Sequence, residues 1–207
     1  MKVKHLLLIL IILMILVCYF VKKSQTETKS SPKAKSVIEI VKDLNKISQL
    51  KDIAPTLNRN ELQEVANWMD FHSGDFIPLY YIAMADYIFE IDRDKAIFWY
   101  FVGRLRSTQD VFMCTDESAR AQIATYPMFA QKTLHFASDD LGKLQKILVK
   151  AMLWDSVHFK RQSPKWSCYH GFQTVFMEPE LVSKKEQIKR SLLLKKDFWK
   201  SVFKKRD

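Results

Sequence analysis

Sixteen consecutive residues near the N-terminus, Leu6–Val21, carry no charge: LLLILIILMILVCYFV. Lys2 and Lys4 precede the run, and Lys22 and Lys23 follow it. As an α-helix it covers ~24 Å at ~1.5 Å per residue, slightly short of a ~30 Å hydrocarbon core. Flanking lysines can snorkel, and Val3 and His5 can extend the helix. Three fates compete for such a run. A cleaved signal peptide needs small residues before the cut, and Tyr19-Phe20-Val21-Lys22-Lys23 supplies none. A lipoprotein would carry its lipid on Cys18, but Val17 stands where Gly, Ala or Ser is wanted. The expectation is an uncleaved single-pass anchor over residues 1–21, in the membrane through residues 5–21. Lysines on both flanks leave little charge bias. A short N-terminal tail is usually kept inside, which in a bacterium puts the anchor in the inner membrane and the C-terminal domain in the periplasm.

Residues 22–36 read as a polar tether. Ser24 to Ser36 (SQTETKSSPKAKS) has no large apolar residue and contains Pro32, the composition of a flexible spacer. What remains is about 170 residues, enough for one core. Only 4 Gly and 6 Pro occur in the chain, too few for a sandwich or barrel that turns every ~8–12 residues. With 14 Phe, 7 Tyr and 5 Trp, the chain is too aromatic to stay disordered.

Helical periodicity dominates residues 37–207, so the fold class expected is all-α, with at least six helices. Val37, Ile38, Ile40, Val41, Leu44 and Ile47 form one apolar stripe. Further helices are expected over 60–71, 77–89, 94–106, 116–124, 128–137, 138–156 and 183–203. Thr115 and Ser138 are the expected N-caps of two of them, and Pro127 opens a third. Residues 160–179 read as irregular and aromatic.

The segment PLYYIAMADYIFEIDRDKAIFWYFVGRLR, residues 78–106, alternates small and large residues on facing helical surfaces. Asp94-Lys95-Ala96 followed by Trp99-Tyr100 resembles the second helix of a Sel-one-like or tetratricopeptide repeat. Ala83, Ala85 and Tyr87 fit the first helix, while the glycines of that family are missing. The resemblance covers one repeat and implies a helical-repeat-like hairpin. In it Ala96 admits a close approach and Ala83, Tyr87, Trp99 and Tyr100 form the packing. An ordinary helical hairpin carries the same pattern.

Two of the three cysteines, Cys114 and Cys168, lie in the domain, and Cys18 lies in the apolar run. An oxidising compartment would join the two; two buried thiols are the alternative. A metal set built from Cys114, His158, Cys168 and His170 lacks standard zinc spacing, and neither CxxC nor HExxH occurs. Neither GxSxG nor a Gly-rich phosphate loop occurs. His72-Ser73-Gly74-Asp75 holds triad letters in a row, but triads assemble in space. It reads as a loop with Asp75 as a cap. The chain is therefore expected to be no enzyme, with no cofactor, metal or small-molecule substrate.

The net charge of +10 sits at the ends. Residues 184–206 hold ten Lys/Arg against Glu186 and Asp197. A terminal core helix with a solvated basic face, a membrane-surface helix and a nucleic-acid binder all share that pattern. No nucleic-acid motif accompanies it, so nucleic acid is not an expected partner. The combination of anchor, tether and compact helical domain is similar in profile to periplasmic immunity proteins that neutralise type VI or contact-dependent toxins. That resemblance implies another protein, a toxin, as partner. An envelope adaptor or assembly factor is the alternative, and an enzyme of unknown type ranks third.

Overall fold

The computed structural model describes residues 31–43, 46–158 and 160–203, with side chains to residue 198. The expected anchor, residues 1–21, and the tether up to Ser30 lie outside the described residues. Among the described residues no helix is long and apolar enough to cross a membrane.

Every regular element described is helical: α1 Pro32–Val41, α2 Ile47–Ile53, α3 Arg59–Phe71, α4 Leu79–Ile88, α5 Arg93–Val111, α6 Gln131–Ser138, α7 Leu141–Val157, α8 Lys165–Cys168 and α9 Lys184–Phe203. Short 3-10 turns cover Ala54–Thr56 and Phe172–Val175, and a longer 3-10 segment covers Glu117–Phe129. An isolated antiparallel bridge pairs Cys114 with Leu181.

The first helix corrects the tether boundary. Ser31 accepts from the Ala34 amide at 3.0 Å, and Pro32 sits in the first turn, a pre-set φ at a position whose N–H has no use. Ala34 is buried, while Lys33, Lys35 and Ser36 face out. A single apolar residue thus turns a polar-looking stretch into helix. Ser31 also donates from its backbone to Glu64 and from its hydroxyl to Glu61 on α3.

The expected stripe from Val37 to Ile47 is two helices, α1 and α2. In α3 a capping box fixes the start. Asn58 accepts from the amides of Asn60 and Glu61, and Glu61 accepts from the Asn58 amide at 2.8 Å. Those bonds hold the Glu61 carboxyl below its usual range.

The core is centred on the α4–α5 hairpin. Eight of the ten α4 residues are buried, so this helix has no polar face to show a period. Asp92 caps α5 through the Lys95 amide at 2.9 Å. The two helices meet at Gly103, where a Cβ would stand 2.7 Å from Tyr81 Cβ and 2.9 Å from the Pro78 carbonyl.

After α5 the expected boundaries move. Asp116, not Thr115, caps the next segment, accepting from Ser118 at 2.9 Å. Pro127 lies inside that 3-10 segment and does not open a helix; its missing N–H stops an α ladder from running through. Asp140, not Ser138, caps α7 through Lys143. In each case a carboxylate one or two residues beyond the expected hydroxyl takes the orphan amide.

A candidate docking groove beside a clasped aromatic loop

The hairpin residues singled out from sequence divide between two places. Ala96, Trp99 and Tyr100 are buried in the core. Trp99 stacks on Tyr81 at 4.6 Å, meets Trp154 edge-on at 5.1 Å and donates its indole N–H to Asp70 at 3.1 Å. Ala83 and the half-buried Tyr87 instead line a groove of about 920 Å³ on the outer side of α4.

Three elements distant in sequence wall this groove. The α2 segment supplies Leu50, Ala54 and Leu57, α4 supplies Leu79, Ala83 and Tyr87, and the 3-10 segment supplies Met128 and Phe129. Its charged groups differ in how far they are engaged. Asp86 accepts from the Lys132 and Thr133 amides and the Thr133 hydroxyl, at 3.2, 2.9 and 2.8 Å, and so caps α6 from across the groove. Glu90 pairs with Lys132 at 2.8 Å. Exposed Lys51 and Arg59 form no ion pair among the described residues; Arg59 only reaches the Glu90 and Ile91 carbonyls at 3.5 Å. The lip therefore carries two cations without an ion-pair partner among the described residues. His170 also lines the groove, and partial burial lowers its pKa.

His170 begins the second feature. Cys114 and Cys168 form a disulfide, S–S 2.08 Å and Cα–Cα 5.4 Å. The chain leaving Cys168 returns at the Cys114–Leu181 bridge, where Val182 donates to the Met113 carbonyl at 2.8 Å and Thr115 to Glu180 at 3.1 Å. Between those ends, the Phe172 amide donates to the Ser118 hydroxyl and the Gln173 amide to Asp116, both at 2.8 Å. A Cβ at Gly171 would collide with the Asp116 carboxylate, so only glycine admits this contact. The backbone is pinned, yet Phe172 is 79% exposed, Val175 76% and Phe176 87%.

The domain also holds a buried ionic centre. Arg106 and Asp155 pair at 2.7 Å with side chains 1% and 2% exposed. Arg106 also donates to the His158 and Ser73 carbonyls and lies 4.7 Å over the Trp154 ring. Lys195 of α9 stands 3.1 Å from the other Asp155 oxygen. Burial alone would raise the Asp155 pKa; Arg106 and Lys195 hold it below its usual value. Asp110 accepts from Arg161 at 2.7 Å and from the Trp166 indole at 2.8 Å. Burial outweighs those partners and pushes its carboxyl up to about 6. This centre ties α5, α7, α8 and α9 together.

Among the described residues no group of three or more His, Cys, Asp and Glu could hold a metal ion. Cys114 and Cys168 of the discarded metal set are spent in the disulfide. Asp75 does not act as the cap expected for it. It pairs with His72 at 2.9 Å and with Lys160, which together lower its pKa.

The groove, its lip and the ionic centre were missed from sequence, because each assembles residues from separate elements. No family model, curated protein or solved structure matches this chain.

Proposed function

We propose that this chain is a non-enzymatic protein-binding protein that neutralises a secreted toxin by covering it. One observation carries the reading: the apolar groove beside α4, edged by exposed Lys51, Arg59 and Met128. A small-molecule pocket encloses most of its ligand. A groove edged by exposed residues suits an apolar stretch of another polypeptide, with the charged lip steering the encounter.

The disulfide supports the same reading. A disulfide such as Cys114–Cys168 forms and persists in an oxidising space. That agrees with a periplasmic domain held to the inner membrane by residues 5–21, in the path of toxins delivered by type VI or contact-dependent systems. The alternative is an envelope adaptor or assembly factor. The exposed loop Tyr169–Met177 favours it as a second contact surface on one small domain.

Growth protection tests the proposal. The full-length chain is co-expressed with each secreted toxin encoded beside it, the toxin being directed to the periplasm. Wild type restores growth, and Met128→Glu or Lys51→Glu, both at exposed positions, weakens the protection. Undiminished protection by both variants would contradict the groove. Lack of protection against every such toxin would move the assignment to the adaptor.

A further inference from the structure

We infer that, when no other partner is bound, the groove receives the Tyr169–Met177 loop of a second copy of this chain, the two copies exchanging loops about a two-fold axis. The inference rests on the reading of the groove as a docking surface and adds an occupant to it.

The loop is built for display. A disulfide, a bridge and two amide-to-side-chain bonds fix its backbone. Phe172, Val175, Phe176 and Met177 nonetheless stand in water. An ordered loop has already lost the backbone entropy that docking would otherwise cost, and contiguous exposed apolar surface marks a contact site.

Charge selects the occupant. Exposed Glu178 and Glu180 edge the loop, and Glu180 forms no ion pair among the described residues. Lys51 and Arg59 edge the groove without an ion-pair partner among the described residues, while Glu90 is paired with Lys132 and Asp86 is hydrogen-bonded to the start of α6. An acid-edged apolar protrusion thus matches a cation-edged apolar groove. Anionic lipid would be repelled by the same two glutamates.

Position makes the match self-complementary. His170 is among the residues lining the groove, and Phe172 follows two residues later. Concave and convex halves that share a border can satisfy each other twice across one two-fold axis. Two loops with two phenylalanines each bring on the order of 1,000 Å² of apolar surface. With the groove walls they cover, this reaches the ~1,600 Å² of a stable interface.

The test uses the full-length chain in its own membrane, expressed with two different tags. A photo-crosslinking benzophenone analogue replaces Phe176. The expected product carries both tags, and its crosslinked peptide maps to residues 47–62 or 79–91. Lys51→Glu or Glu180→Lys each lowers its yield about tenfold, and the two together restore it. Adducts only to lipid or to other proteins would overturn the inference. So would a self-adduct mapping elsewhere, or one indifferent to both charge changes. Toxin protection is a separate readout. Its loss with the adduct present would remove the neutralising function and leave the dimer, and the reverse result would remove the dimer alone.

Discussion

Replacing Arg106 by Met should be among the most damaging single changes in the domain. Arg106 and Asp155 are almost fully enclosed and 2.7 Å apart. The substitution keeps most of the apolar stem but leaves Asp155 without its main counter-charge. It also orphans the His158 carbonyl, which Arg106 reaches at 2.6 Å. Breaking a buried pair by removing one partner costs about 3–5 kcal/mol, because the remaining charge stays desolvated. Lys195, 3.1 Å from Asp155 and partly exposed, relieves some of this, which sets the expectation at about 3 kcal/mol. Asp155→Leu alone strands Arg106 and Lys195 in the same way. The double variant removes both charges and should be more stable than the sum of the two losses requires, with a coupling of about 2 kcal/mol. Urea unfolding of the full-length chain, followed by far-ultraviolet circular dichroism, measures all three. A loss below about 1 kcal/mol for Arg106→Met, or strictly additive losses in the double variant, would refute the reasoning.

Three further outcomes follow from the same structure. Cys114→Ser and Cys168→Ser should each cost about 4 kcal/mol by loop-closure entropy over a separation of 54 residues, with no added loss in the double variant; two reactive domain thiols in unreduced protein would exclude the bond. Asp110 is raised by burial to about 6 from an unfolded value near ~3.9, so its contribution is full below ~4 and lost as pH rises through about 6. Unfolding free energies from urea titrations between pH ~4 and ~7 should therefore fall for wild type relative to Asp110→Asn, by up to ~3 kcal/mol, and parallel curves would contradict the burial argument. Gly103→Ala gains up to ~1 kcal/mol of helix propensity but drives a methyl to 2.7 Å from Tyr81 Cβ, so thermal melting should show a net loss of about 1–3 kcal/mol, and stabilisation would deny the close approach.

The all-helical class was legible because amphipathic periodicity is clear in α1 and α3, whose buried apolar residues recur on one face and whose other positions are mostly polar. It was weakest where a helix has no outer face. The run Leu79–Ile88 is buried nearly all round, so the helix expected over 77–89 had little polar face to mark its period. Caps were misplaced where Ser or Thr stands near a carboxylate. Asp116 and Asp140 won over Thr115 and Ser138 because they sit at the position where the first free amides point. The start of α1 was hidden because Ala34 is its only apolar residue before Val37.

Of the site, the disulfide was legible from cysteine arithmetic, since the domain holds no third cysteine. The groove was not. Leu50, Ala83 and Phe129 become neighbours only after three elements converge, and no local spacing encodes that. Residues 160–179 stood out as aromatic and irregular. Nothing in the letters told Trp166, which is buried on Asp110, from Phe176, which stands in water. Arg106 and Asp155 lie 49 positions apart on helices that each look ordinary.

The central claim is that the groove beside α4 is where another protein binds. Amide hydrogen exchange of the full-length chain, free and saturated with any toxin against which co-expression shows protection, tests this most directly. Slowed exchange concentrated in residues 47–62, 79–91 and 126–132, and weakened by Met128→Glu, is the expected result. Protection confined to α7 and α9, with residues 47–62 unchanged, would contradict it.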